Sequence, residues 1–200
     1  MTRYHLDNGK TVSLEQRHFI AKGGEKSIFV KKGQGYAVYH DPAGMIPVQK
    51  IDELAVLDRP EIIKPQRPIL HQGRKRVAIG HTLAFAEGVP LVKIFPSGFQ
   101  RKQSITPEMV IQLVKTLQDM VSYIHSKDIL VVDLNELNFL VDPTWKKLFA
   151  IDVNSYQTPH FPATVIMPNI LDRHCKRKGR LPVFDENTDW FSLPLYLFKC

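Results

Sequence analysis

The sequence predicts an α+β fold, β-rich in its first half and helical in its second, on three observations. The apolar runs Phe19-Ile20, Ile28-Phe29-Val30, Tyr36-Ala37-Val38-Tyr39 and Val77-Ala78-Ile79 are short and are broken by glycines and by the turn signal Asp41-Pro42. From Thr106 onward the period changes, because Val110, Leu113, Val114, Leu117, Val121 and Ile124 form one helical stripe. The composition, 44% apolar and 24% charged over 200 residues, belongs to a globular chain and excludes disorder, collagen and coiled-coil arrays.

The elements follow in order. A short helix is expected between Val48 and Leu57, where Val48, Ile51, Leu54, Ala55 and Val56 keep a helical period and Asp58-Arg59-Pro60 stops it. Thr106 can cap the long helix and Pro107 suits its first turn, since that position has no intrahelical use for an N–H. Three apolar runs come next, Ile129 to Val132, Leu137 to Val141 and Leu148 to Ile151, the last two joined by Asp142-Pro143-Thr144-Trp145-Lys146-Lys147. Another apolar segment starts at Asp189-Trp190-Phe191-Ser192-Leu193 with Thr188 or Asp189 as its cap, although Pro194 falls early in it.

Lys and Arg total 27 against 20 Asp and Glu, a net charge of +7 that favours anionic partners without choosing among them. No apolar run approaches the roughly 18 residues of a membrane span, and residues 1–9 lack the apolar core of a leader. Cys175 and Cys200 are the only cysteines, too few for a disulfide framework, so a reducing, cytoplasmic setting is expected. His125 and His174 have no partners at metal-ligand spacing, which argues against zinc. Phe95, Phe99, Trp145 and Trp190 read as core or interlobe packing.

The chemistry is carried by Val131-Val132-Asp133-Leu134-Asn135-Glu136-Leu137-Asn138, followed by Leu148-Phe149-Ala150-Ile151-Asp152. Asp133 and Asn138 are five apart, and Asn138 and Asp152 are fourteen apart across a strand–turn–strand unit. A lone Asp or Asn in a turn is usually a turn former, but this spacing resembles the protein-kinase catalytic loop H-R-D-L-x-x-x-x-N and its metal-binding D-F-G. The resemblance implies that Asp133 accepts the proton of an acceptor hydroxyl, while Asn138 and Asp152 hold Mg²⁺.

Three more segments stand in kinase order. Ala21-Lys22-Gly23-Gly24-Glu25-Lys26-Ser27-Ile28 resembles the phosphate-covering G-x-G-x-x-G-x-V, with Gly23 at the second glycine and Lys26 at the third. Glu53 stands where the small-lobe helix presents its ion-pairing glutamate. Thr188-Asp189-Trp190-Phe191-Ser192-Leu193 resembles D-x-W-S-L-G of the large lobe's central helix, in which Asp189 would hold the catalytic-loop backbone. The matches run from residue 17 to about 196, and the Tyr-His-Asp-Pro and Val-Val-Asp-Leu-Asn stretches are similar to a bacterial and phage group of atypical kinase-like proteins. A two-lobed organisation is implied: an extension at 1–16, a small lobe at about 17–85, a hinge at about 85–88 and a partial large lobe at 89–200. Only ten residues follow Trp190, so the large lobe is expected to be truncated at its C-terminal side, with a protein partner covering Phe191, Leu193, Leu195, Leu197 and Phe198.

The departures bear on activity. No lysine occupies the V-A-I-K place in Gly35-Tyr36-Ala37-Val38-Tyr39, where Tyr39 or Ala37 falls instead. Lys26 resembles the arrangement of the with-no-lysine kinases, in which the glycine-rich loop supplies the ammonium; a solvated turn lysine is the alternative, and Lys31, Lys32 and Lys50 are lesser substitutes. Val131-Val132 replaces His-Arg, Asp152-Val153-Asn154 replaces D-F-G, Asn135 replaces the usual Lys, and Met167-Pro168-Asn169 lacks the glutamate of A-P-E. Control through a phosphorylated activation loop is therefore not expected.

The resemblance implies an ATP- and Mg²⁺-dependent phosphotransferase acting on protein Ser or Thr. Adenine would contact the hinge backbone, Gly23 and Gly24 would cover the phosphates, and Lys26, oriented by Glu53, would anchor them. The alternative is a pseudokinase, a binding or regulatory module without phosphotransfer. A nucleic-acid module is a weaker expectation: the basic cluster Arg173 to Arg180 has no interleaved aromatic ring for stacking, and like Arg74-Lys75-Arg76 it reads first as solvated charge.

Overall fold

The chain divides into two units, Met1–Ala55 with Ile63–Phe85, and Val56–Ile62 with Ala86–Cys200. This computed structural model describes residues 2–71, 77–172, 174–175, 177–178 and 181–197. Arg74-Lys75-Arg76, Arg173, Lys176, Gly179 and Arg180 of the basic cluster, Phe198 and Cys200 lie outside the described residues.

The first unit is one antiparallel sheet of seven strands: β1 (Thr2–Leu6), β2 (Thr11–Leu14), β3 (Phe19–Lys22), β4 (Lys26–Lys31), β5 (Gln34–Tyr39), β6 (Pro65–Leu70) and β7 (Ala78–Ala84). Their spatial order is β2-β1-β6-β7-β5-β4-β3. Helix α1 (Val48–Leu54) lies between β5 and β6 in sequence and packs on β6. Residues 2–14 therefore belong to the sheet, where the sequence suggested only an extension. Their hairpin turns at Gly9, which has φ +80°, with the Asn8 side chain accepting from Lys10 N at 3.1 Å.

Connectivity curls this sheet. Strands β2 and β3 occupy opposite ends of the order yet are separated in the chain only by residues 15–18, which include the 3₁₀ turn Gln16–His18. The Lys31 ammonium, from β4, donates to Ser13 O of β2 at 2.6 Å. Leu14, Tyr36, Ile69 and Ile79 form a core with Tyr4, Leu6, Val12, Phe29 and Val38 against it. Each such aliphatic side chain, when fully buried, stabilises the fold by about 1.5–3 kcal/mol. Strand alternation puts Ala37 and Tyr39 on the other face of β5, where both are buried as well. Where β7 crosses β5, a Cβ on Gly80 would lie 2.2 Å from Ala37 O, so only glycine fits. Two prolines hid β6 from sequence reading; they are tolerated because its pairing with β7 is irregular between Pro65 and Pro68.

The second unit combines a three-stranded sheet with helices. Strands β8 (Val89–Pro90), β9 (Phe139–Val141) and β10 (Leu148–Ala150) are ordered β10-β9-β8, and Gly88 lets the chain approach because a Cβ there would lie 2.6 Å from Val141 O. Helix α2 (Ser97–Lys102), which the sequence did not suggest, precedes α3 (Pro107–His125). The expected cap is present: Thr106 Oγ1 accepts from Met109 N at 3.3 Å. Leu113, Leu117, Met120, Val121 and Ile124 bury the stripe. Segment 56–62 is tied to α3 by Tyr123, whose hydroxyl donates to the Asp58 carboxylate and accepts from Asp58 N. Arg59 stacks 4.1 Å from the Tyr123 ring centroid and pairs with Asp119 at 2.6 Å.

Two local expectations change. Ile129 to Val132 is not a strand; it makes one isolated bridge, Leu130 to Gln157, because Val132 adopts φ +63° and breaks the extended backbone. Helix α4 (Glu186–Leu197) starts before Thr188 and runs through Pro194, which places Asp189 inside its first turn. On α4, Phe191 is 42% exposed whereas Leu193 is buried, so the expected apolar face is only partly open among the described side chains. Phe99 and Trp145 pack edge to face at 5.8 Å, as packing residues should. No helix among the described residues is long and apolar enough to cross a membrane.

Candidate active-site elements

In the second unit, the loop between α3 and β9 is shaped by side chains bonding to backbone. Asn138 Nδ2 donates to Asp133 O at 2.9 Å, and Asn135 Nδ2 donates to Asp133 Oδ2 at 2.8 Å. Asn135 Oδ1 accepts from Leu137 N at 2.9 Å, closing an Asx turn inside the loop. Asp133 and Asn138, named from the sequence, are thus neighbours in space.

Below this loop lies Asp189, fully buried on α4. Its Oδ2 accepts from His125 Nε2 at 2.8 Å and from Val131 N at 2.9 Å, and its Oδ1 accepts from Val132 N at 2.7 Å. Asp189 thus holds the backbone of this loop, as the sequence led one to expect. These bonds also stabilise Val132, a β-branched residue at positive φ, which costs of order 1–3 kcal/mol unless its surroundings enforce it. Sequence spacing weighs His125 only as a metal ligand and does not foresee this bond. Its signal was position: it continues the buried face of α3 one turn beyond Val121, where a polar residue needs a partner. Trp190 stacks edge-on against its ring at 5.3 Å.

Asn138 and Asp152 flank the same end of the β9–β10 hairpin. Phe139 pairs with Ala150, and Ile151 N donates to Asn138 O at 2.9 Å. Because Nδ2 of Asn138 is committed to a carbonyl, its Oδ1 is the atom left to act as a ligand, and no partner for it occurs among the described residues. Asp152 has φ +59° and opens the 3₁₀ turn Val153–Ser155. An amide oxygen and a carboxylate are hard oxygen donors of the kind Mg²⁺ takes together with phosphate and water. Among the described residues, no group of three or more His, Cys, Asp or Glu gathers to hold a metal unaided. Burial, and then the charges of Asp189 and Asp152, push the Tyr156 hydroxyl's pKa far up, so it stays neutral.

One contact opposes catalysis as drawn. Asp133 Oδ1 accepts from Met167 N at 2.9 Å, so the carboxylate oxygen not bonded to Asn135 is occupied by the segment that stands at A-P-E.

The first unit carries the remaining residues. Gly23 and Gly24 lie in the β3–β4 hairpin, closed by Gly23 N donating to Lys26 O at 2.9 Å. A Cβ at Gly23 would make only an ordinary contact, 3.5 Å from Lys26 O, and one at Gly24 would meet nothing within 4 Å. The fold therefore does not require these glycines; their small size matters only to something approaching from outside. Lys26 pairs across strands with Tyr39, its ammonium 5.7 Å from the ring centroid. Strand alternation puts Ala37 and Tyr39, the two residues expected at the place of a strand lysine, on the same buried face of β5, and Lys26 stands opposite Tyr39. Glu53 is half-buried on α1, and the charged residue that α1 buries is Lys50, 6% exposed.

No protein-family model and no curated protein matches the chain. Among solved structures, it is similar to the kinase of Cydia pomonella granulovirus, with a TM-score of 0.62 and 16% identity. That match covers 90% of this chain, which spans 65% of the length of the viral one. The mixed α+β architecture, with a curled antiparallel sheet in one unit and helices in the other, is a protein-kinase-like fold.

Proposed function

We propose that the chain is an ATP-binding, Mg²⁺-dependent phosphotransferase of the protein-kinase type, acting on a protein Ser or Thr hydroxyl. The observation that carries this reading is the Asp133–Asn138 lock, which turns the Asn138 amide so that its oxygen remains for a cation at the hairpin end shared with Asp152. Bound Mg²⁺ would neutralise charge on the transferring phosphate. Asn138 and Asp152 are its holders in the second unit; in the first, Lys26 supplies the ammonium and Gly23 and Gly24 the unobstructed backbone for phosphate, with Glu53 orienting Lys26. Asp133 accepts the proton of the attacking hydroxyl once Met167 N–H leaves its Oδ1. Positioning and charge neutralisation then supply most of the acceleration.

A second reading, a pseudokinase, is favoured by that same Met167 contact and by the absence of a lysine from β5, where Ala37 and Tyr39 share the buried face. Phosphotransfer from γ-labelled ATP with Mg²⁺, for wild type and Asp133→Asn, separates the two. The phosphotransferase reading expects turnover in wild type and a loss of about 10²–10⁴-fold in the variant, with ATP affinity retained. Binding of ATP without turnover in either protein would favour the pseudokinase.

A further inference from the structure

We infer that His40 is a positioning residue that presets the β3–β4 hairpin tip for phosphate, an inference that rests on the nucleotide-binding reading above. His40 follows β5 directly and makes three contacts to that tip. Its backbone N–H donates to Glu25 O at 2.8 Å, its Nδ1 lies 3.1 Å from Gly24 O, and its Nε2 lies 3.0 Å from Ser27 Oγ. A carbonyl only accepts, so Nδ1 carries the proton, and in the neutral ring Nε2 accepts from the Ser27 hydroxyl. One imidazole thereby grips the residues on both sides of Lys26.

The consequence is directional. In a trans peptide the C=O and the following N–H point opposite ways. With Gly24 C=O turned to His40, the N–H of Glu25 faces away from the ring. Neither that N–H nor the N–H of Gly24 has an acceptor among the described residues, and Lys26 adds a cation beside them. Backbone N–H groups left without an acceptor at a turn, next to an ammonium, are donors for an anion. Without the His40 ring the tip would lose both of these side-chain contacts while keeping its backbone bonds Gly23–Lys26 and His40–Glu25, and a phosphate would have to order it further on binding. Since the His40 ring is exposed, removing it should leave the sheet folded.

Equilibrium binding of MgATP and of adenosine to wild type, His40→Ala and His40→Asn tests this, with thermal unfolding as the control for folding. Adenosine has the base and sugar but no phosphate, so damage to the fold would weaken both ligands. The expected result is that His40→Ala weakens MgATP about tenfold and leaves adenosine unchanged, one lost hydrogen-bonding group's worth. His40→Asn, whose amide can still donate to Gly24 O, recovers most of the loss. Equal MgATP affinity in wild type and His40→Ala, or parallel loss of both ligands, would overturn the role of His40 alone. Wild type that binds no MgATP overturns the nucleotide reading itself, and this inference with it.

Discussion

The loop between α3 and β9 in the second unit and the glycine hairpin of the first are held by different means. Asp189 is fully buried and takes three hydrogen bonds, from His125, Val131 and Val132. At the hairpin tip, one exposed imidazole contacts Gly24 O and Ser27 Oγ beside the backbone bonds Gly23–Lys26 and His40–Glu25. A buried, fully bonded carboxylate fixes a backbone with little tolerance, because any orphaned donor left behind costs the full desolvation penalty. An exposed clasp sets a conformation at small cost and can be replaced by another. The buried network fixes the loop of the second unit more firmly than the exposed clasp fixes the hairpin tip.

Breaking the stronger side of this comparison should have the largest effect. Asp189→Ala leaves Val131 N–H, Val132 N–H and the His125 ring without their shared acceptor and is expected to cost about 3–5 kcal/mol, read as a lowered denaturant midpoint. A loss under about 1 kcal/mol would mean that the loop is held elsewhere. On the weaker side, Lys26→Ala should leave the unfolding midpoint near wild type and weaken MgATP about tenfold, a charge-assisted contact's worth, while Lys50→Met should perturb stability more than nucleotide affinity. The reverse pattern in a binding titration would move the phosphate-anchoring role to the lysine that α1 buries.

Smaller effects test the turn and the cap. Asp142 sits at the β9–β10 turn, where burial works against its charge but the Thr144 hydroxyl and the N–H groups of Lys147, Lys146 and Thr144 outweigh it and hold its pKa below the usual carboxylate value. A depressed folded-state pKa contributes stability that is fully present above the unfolded value and is lost as pH falls through the folded one. Asp142→Asn should therefore cost about 1 kcal/mol at neutral pH, with the gap to wild type closing as the pH drops below about 4. A gap independent of pH in urea titrations would mean that the charge contributes nothing. Thr106→Ala, which removes the α3 cap, is expected to lower stability by about 1 kcal/mol at any pH where the protein is folded.

Sequence reading recovered what spacing encodes. The stripe from Val110 to Ile124, the Thr106 cap, the β9–β10 hairpin and the Asp133–Asn138 adjacency all followed from period or interval. It missed what depends on tertiary pairing. Strands β1 and β2 carry a weak alternation around Asp7-Asn8-Gly9, and only the curl that joins them to β6 makes them strands of the core sheet. Val132 looks like the end of a strand by composition, yet Asp189, 57 residues later, holds it at positive φ. His125 and His40 gave no signal as metal ligands because each acts by hydrogen bonding, His125 to a carboxylate and His40 to a carbonyl and a hydroxyl. Their roles reside in distances that a linear spacing does not contain.

Whether Asn138 and Asp152 hold Mg²⁺ for a bound nucleotide is decided by a titration of ATP into wild type and Asp152→Ala, with Mg²⁺ and with EDTA. Mg²⁺ is expected to strengthen ATP binding by wild type at least about tenfold, and Asp152→Ala to lose most of this gain while its affinity in EDTA stays near that of wild type. Wild type that binds ATP equally with and without Mg²⁺, or not at all, would contradict that role.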